Sequence, residues 1–372
     1  MTFEDVFSNL LLILPKKIPS NSTYRSFLFE LFDEYLKLIA SISPKKISID
    51  GMANPTDFSS VLKKQEQLIS GLKKALDLYF NGQPSNAYKT FSQTMEYRTA
   101  AYKRILNICT LNKQENFYRL RIKEDNFPLC SEDMFHIPFE KRGNVATQRY
   151  SIPGFPSLYL AKTLYVAWEE LNRPSIDSFQ AIRLVSQKDI KLLDLTANDW
   201  GTNNNNNNAY KYLMTWPLIA SCAIKVKDSH DQFKPEYILP QLLLQWVRNN
   251  KEIDGIKYAS SHIETQKLKL CGDLYNIVLP VHENKEKGHC KKLLDFFQVT
   301  EAISWQLLQF AQGSAVILKS QNDPINKRVP DIELIKGIKF QYNSSILGDI
   351  EKFLDNQPCH KINKAYSTSS DL

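Results

Sequence analysis

Apolar residues return every three or four positions through the first 110 residues, the period of helices that bury one face. Ser22 or Thr23 can cap a helix that places Phe27, Leu28, Leu31, Phe32, Tyr35, Leu36 and Leu38 on its inner side. A second helix begins near Asp57 and buries Val61, Leu62, Leu68, Ile69, Leu72, Leu76 and Tyr79. Ser85 opens a third, with Tyr88, Phe91 and Met95 on one face, and the NGQP run from Asn81 to Pro84 punctuates the last two. Residues 1–112 therefore predict a helical bundle.

Near Asn116 the period shortens. FYRLRI (Phe117 to Ile122) and SLYLA (Ser157 to Ala161) read as strands, the latter running into a helix through Glu170. FQAIRLV and IKLLDLT read as a pair of strands around Gln187-Lys188-Asp189. A helix follows from about Tyr237 to Arg248, then strands in GIKYAS and LYNIVLP. Short strands mixed with single helices predict an α+β core over residues 113–281 rather than a regular parallel array. Residues 282–372 read as an extension of that core: the charged run HENKEKGH, a helix around Leu293 to Phe310, strands in AVILK and IKGIKFQY, and a disordered tail KAYSTSSDL. The six asparagines Asn203 to Asn208 compete for their own backbone and predict an exposed loop.

Composition narrows the class. An apolar fraction of 43% supports a real core, and no run approaches the roughly 20 apolar residues of a membrane span. Glu4 and Asp5 precede the short LLLIL run, the wrong charge for a secretory leader, so a cytoplasmic protein is expected. The six cysteines form no C-x-x-C pair, which argues against zinc and dithiol chemistry and for reduced thiols. Phosphate-cradling glycine motifs, H-E-x-x-H and G-x-S-x-G are all missing. The first histidine is His136, so the helical segment has none to offer for RNA cleavage. The net charge of +7 suits an anionic ligand and equally a solvated surface.

Five polar residues stand out. Arg149 precedes a Pro153-Gly154 turn, where a guanidinium can grip a phosphate with two hydrogen bonds or sit in a surface salt bridge. Tyr159 can stack on a flat ring or pack in the core. Glu169 and Glu170 lie about 100 degrees apart on their helix, so one pocket can hold only one of them; Ala167 and Leu171 put the inner face near Glu170. Ser260 ends a strand, an ordinary place for a turn residue. Arg119 is the fifth, inside FYRLRI.

The order of these segments is specific. FYRLRI, QRYSIPGFPSLYLAKTLYVAWEEL, PEYILPQLLLQWV, IDGIKYASSH and LYNIVLP together resemble the RES-domain family, named for arginine, glutamate and serine, over roughly residues 115 to 281. The resemblance implies an ADP-ribosyltransferase-like fold with a mixed β-sheet core and flanking helices. It implies an enzyme that degrades NAD, and a toxin paired with an antitoxin. Arg149 matches the arginine of the family's glycine-arginine-aromatic-asparagine motif, with Tyr150 at the aromatic place. Tyr159 matches the tyrosine of the next strand, Glu170 the glutamate eleven residues on, Ser260 the serine, and Arg119 the arginine of the opening strand. Gln148 and Ser151 depart from the motif's glycine and asparagine.

On that resemblance Glu170, Arg149 and Ser260 are the catalytic candidates, and Arg119, Arg149, Tyr150, Tyr159 and Ser260 the NAD-binding ones. NAD is then the substrate, and neither metal nor further cofactor is called for. Cleaving its nicotinamide–ribose bond builds positive charge at the ribose, which a carboxylate stabilises, while arginines match the pyrophosphate. Water or phosphate can be the acceptor. The same groups also suit ADP-ribose transfer to a macromolecule, and a third reading is an inactive helical binding module. Expected partners are an antitoxin or regulatory protein and a second copy of the chain; neither membrane nor nucleic acid is expected, since no aromatic-basic motif accompanies the charge.

Overall fold

A computed structural model describes residues 1–49, 52–96, 106–123, 125, 127–196, 206–263, 273–312, 329, 331–335 and 338–362. In chain order the elements are α1 (Tyr24–Ala40), β1 (Lys46–Ile47), β2 (Thr56–Asp57), α2 (Phe58–Phe80), α3 (Pro84–Glu96), β3 (Ile108–Leu111), β4 (Asn116–Ile122), β5 (Ser157–Ala161) and α4 (Leu164–Glu170). There follow β6 (Phe179–Ser186), β7 (Ile190–Asp194), α5 (Asn206–Cys222), α6 (Ile238–Asn249), β8 (Gly255–Ala259), β9 (Tyr275–Pro280), α7 (Lys291–Phe296), β10 (Phe297–Val299), β11 (Ile303–Ser304), α8 (Trp305–Gln312), β12 (Asp331–Ile335), β13 (Ile338–Gln341) and α9 (Ile346–Asp355). The fold is α+β. Among the described residues no helix is long and apolar enough to cross a membrane. Cys109, Cys130, Cys222, Cys290 and Cys359 are free thiols, and Cys271 lies outside the described residues.

The chain forms two compact units, each discontinuous in sequence, where the sequence reading expects three consecutive domains. One unit joins Met1–Cys109, Thr147–Ile152 and Leu193–Leu270; the other joins Thr110–Ala146, Pro153–Leu192 and Cys271–Leu372.

In the first unit the helix starts are as the capping residues predict. The Thr23 side chain accepts from Ser26 N–H in a capping box, and Asp57 accepts from Ser59 N–H. α2 packs against α1, α3, α5 and α6. Its Gly71 allows α3 to approach closely, because a Cβ there would lie 2.2 Å from Thr94 Oγ1. α5 corrects the sequence reading at its start. Asn206, Asn207 and Asn208 form its first turn rather than a loop, and Asn203 to Asn205 lie outside the described residues. The rest of α5 is largely apolar, so it carries no amphipathic signal, and Pro217 inside it reads as a helix breaker. Tertiary contacts compensate. Proline lacks the N–H that the Leu213 carbonyl one turn back would receive, and the buried Tyr35 hydroxyl donates to that carbonyl instead. The Tyr35 ring stacks on Trp216 with centroids 4.6 Å apart, and buried Gln65 donates to the Met214 carbonyl at 3.1 Å.

In the second unit the strands run in the order β10-β6-β4-β5-β9, every pair antiparallel, with β11 also on β6. β6 is buried along its whole length. It pairs with β4 and β10 and not with β7, so FQAIRLV and IKLLDLT are strands but not each other's partners. The helix expected over Leu293 to Phe310 is broken: α7 stops at Phe296, and the aromatic run that follows pairs Phe297 with Ser186 and Val299 with Leu184 on the edge of β6. IKGIKFQY contributes to the β12–β13 hairpin, while AVILK and the tail KAYSTSSDL lie outside the described residues.

Rows of opposed residues define the two faces of this sheet. Arg183, Tyr118, Ala161 and Asn276 are successive partners across β6, β4, β5 and β9, so their side chains share a face. That face is covered by α4 and α9: Tyr118 and Arg183 both reach Asp355 at the end of α9. Arg119 and Arg121 leave β4 on the opposite face. β4 and β5 are joined at one pair, Tyr118 with Ala161, whereas β5 and β9 pair along five residues.

His136 sits in this unit's core, fully buried. Its Nδ1–H donates to the Ile137 carbonyl at 2.8 Å, and Nε2 accepts from Cys290 N–H at 2.9 Å. Accepting at Nε2 needs the neutral ring, and burial, the largest cause, holds its pKa down to about 3. The unfolded chain, at the ordinary value near 6.5, then binds the proton more readily than the folded one. Stability is full above pH 6.5 and is lost as the pH falls toward 3. Between pH 7 and pH 5 this one group should cost about 2 kcal/mol, read as a falling denaturation midpoint. His136→Gln should flatten that dependence.

Candidate active site

The glutamate helix is held at both ends. The Thr163 hydroxyl caps α4 by accepting from Val166 N–H at 3.3 Å. The Leu164 N–H, left without a partner inside the helix, donates to the Glu351 carboxylate at 2.9 Å, and the same oxygen accepts from the Tyr342 hydroxyl at 2.7 Å. At the other end Asn172 and Arg173 take left-handed backbone (φ 60° and 56°), which non-glycine residues adopt only when held there. The holding is visible: Arg173 grips both oxygens of Glu169, at 2.7 and 3.0 Å, and donates to the carbonyls of Glu333 and Leu334 on β12.

This corrects the expected inner face. Glu169 is the buried glutamate, 4% exposed, because Arg173 four residues on neutralises it. Glu170 is half-buried. Its Oε1 accepts from Asn276 Nδ2 at 3.0 Å, and Oε2 takes no hydrogen bond among the described residues. A carboxylate oriented through one oxygen and open at the other is suited to act on a ligand; Glu169 is spent. Asn276 was not foreseen, although an amide inside the apolar strand LYNIVLP is a visible anomaly.

Where β4 and β5 part, the Tyr159 carbonyl accepts from Arg119 Nη1 at 2.8 Å. Arg119 thus reaches from its own face of the sheet to the main chain of β5. Burial, and then the like charge of Arg121, push its pKa down to about 9, still protonated at neutral pH.

The first unit gathers Arg149, Tyr150 and Ser260. Among the described residues Arg149 makes no salt bridge. Its Nη1 donates to the carbonyls of Cys222 and Ile224, each at 2.9 Å, Nη2 lies 3.4 Å from Ser261 Oγ, and the guanidinium rests over the Tyr237 ring. One of its two terminal nitrogens is therefore committed to the end of α5. Tyr150 is 1% exposed and packs on Tyr258 with centroids 4.7 Å apart. Ser260 is equally buried, and its Oγ accepts from His262 N–H at 3.2 Å, a turn-closing bond. Tyr150, Thr196, Cys222, Tyr258, Ser260 and Ser261 border a cavity of about 20 Å³, room for one water. The departures at Gln148 and Ser151 support their own turn: Ser151 Oγ bonds both the N–H and the carbonyl of Gln148, and Gln241 donates to that carbonyl at 3.1 Å.

No family model matches the chain, and no solved structure matches it. Over 348 residues, 88% of this chain and 75% of the other, it is 33% identical to a protein named "Putative toxin YopC" from Bacillus subtilis (strain 168). A likeness of that depth along most of both chains is common descent, and the chain belongs to the YopC family.

Proposed function

We propose that this protein is a toxin that cleaves the nicotinamide–ribose bond of NAD. The observation that carries the reading is Glu170, fixed by Asn276 through one oxygen and open at the other, on a helix anchored at both ends. The word toxin in the relative's name and the ordered RES-like motifs support it.

In this reading the C–N bond breaks with its electron pair going to the nicotinamide ring, which leaves neutral. The open oxygen of Glu170 faces the ribose carbon as positive charge develops and orients the acceptor. Water adds through oxygen and releases a proton, giving ADP-ribose; phosphate would give the 1″-phosphorylated product. Arg119 stays cationic, but it leaves β4 on the face opposite Asn276, so the pyrophosphate of this ligand is not assigned to it. Tyr159 stacks on the nicotinamide or the ribose face. Arg149, through Nη1 and Nη2, is a residue that shapes its own loop.

The test is product analysis of an NAD digest by the purified full chain, with and without phosphate. Free nicotinamide with ADP-ribose, or with its phosphorylated form, is the expected result. An intact NAD pool after prolonged incubation overturns the proposal, and a covalently labelled macromolecule from labelled NAD would replace it with transfer.

A further inference from the structure

α2 and α3 touch along a seam that closes at Gly71, where the missing side chain admits Thr94. A groove of about 740 Å³ opens along this seam. Its α2 wall carries Lys63, Glu66, Ser70 and Lys74, and its α3 wall carries Thr90 and Gln93. All of these are exposed except Thr90, which is half-buried. Among the described residues no aliphatic or aromatic side chain lines the groove.

Cations elsewhere on these helices are paired. Lys73, next to Lys74, bonds Asp33 on α1 at 2.6 Å, and Arg25 bonds Asp77 at 2.6 Å. Lys63 and Lys74 have no ion pair among the described residues, although Glu66 is one turn from Lys63. The two lysines are eleven residues apart, three turns, so they stand on one side of α2 and about 16 Å apart along its axis. Between them Ser70, Thr90 and Gln93 present hydroxyl and amide groups, which both donate and accept hydrogen bonds.

We propose that this groove docks an extended acidic segment of a partner protein, with one carboxylate on Lys63 and a second on Lys74. An extended chain covers about 16 Å in roughly five residues, which sets the spacing of the two acidic side chains. The main chain between them meets the hydroxyl and amide groups of the walls, and the polar lining suits this better than the apolar face of a docked helix. Glu66, between the lysines, selects against a uniform polyanion. A nucleic-acid strand brings phosphates against it, whereas a peptide can place a neutral or basic residue there. The inference uses the helical unit alone and does not depend on the NAD reading.

Fluorescence anisotropy of the full chain with three labelled probes tests it. The first is a glycine-serine peptide carrying two glutamates five positions apart with a lysine between them. The second is the same peptide with every charge reversed, and the third is a short thymidine strand. The first should bind the wild type more tightly than either of the others. Lys63→Glu with Lys74→Glu should weaken the first peptide about tenfold or more and gain the second, an exchange that loss of folding cannot produce. Lys64→Glu with Lys89→Glu makes the same charge change on the same two helices outside the groove, and should match the wild type. No binding of the first peptide by the wild type, equal weakening in the control pair, or tighter binding of the thymidine strand overturns the docking groove. NAD cleavage is measured on the same preparations, so the two readings stand or fall separately.

Discussion

Glu170→Gln should lose NAD cleavage by about a hundredfold or more while its thermal unfolding stays close to that of the wild type. The substitution keeps an oxygen to accept from Asn276, so the one hydrogen bond that orients the side chain survives. The negative charge is removed, and with it the stabilisation of a cationic ribose. A half-buried residue with one hydrogen-bond partner among the described residues has little else to contribute to the fold. Expression of the intact chain should deplete cellular NAD and arrest growth, and expression of Glu170→Gln should not. Glu169→Gln is the informative contrast: it breaks the ion pair with Arg173, so its effect should appear in stability. Wild-type turnover in Glu170→Gln would remove Glu170 from the chemistry.

Glu351→Ala should destabilise the protein by about 3 kcal/mol, read from chemical denaturation. Its carboxylate is fully buried and satisfies both the first N–H of α4 and the Tyr342 hydroxyl. Truncation leaves two buried donors unpaired and a void the size of the lost side chain. Glu351→Gln keeps an oxygen for both donors and should cost much less. A similar loss in both variants would show that the charge, rather than the two hydrogen bonds, is what the site needs. Because α4 is only seven residues long, it depends on this contact and on Arg173 for its position. Residues far along the chain therefore hold the glutamate helix in place.

Helix starts and strand positions were legible where a local signal exists. Thr23 and Asp57 cap as their side chains require, and FYRLRI, SLYLA, GIKYAS and LYNIVLP are strands at the expected residues. α5 was not legible. It is largely apolar, begins in an asparagine run and contains a proline, and Tyr35 and Gln65 from distant helices satisfy its carbonyls. The strand at Phe297–Val299 was hidden for a similar reason: its pairing with β6 decides a segment whose own pattern suits a helix. At the candidate site the ordered arginine, tyrosine, glutamate and serine could be picked out as residue types. Their partners could not, since Asn276, Arg173 and Glu351 matter through contacts that no spacing encodes.

By itself the sequence determined the α+β class, the capped N-terminal helices and the pair of adjacent glutamates, because capping, periodicity and strand propensity act over a few neighbouring residues. Which glutamate stays available was decided by Arg173 and Asn276, one neutralising Glu169 and the other orienting Glu170. The faces on which Arg119, Arg121 and Asn276 emerge were decided by strand register. Register and ion pairing join residues far apart in the chain, so they exist only once the sheet has formed.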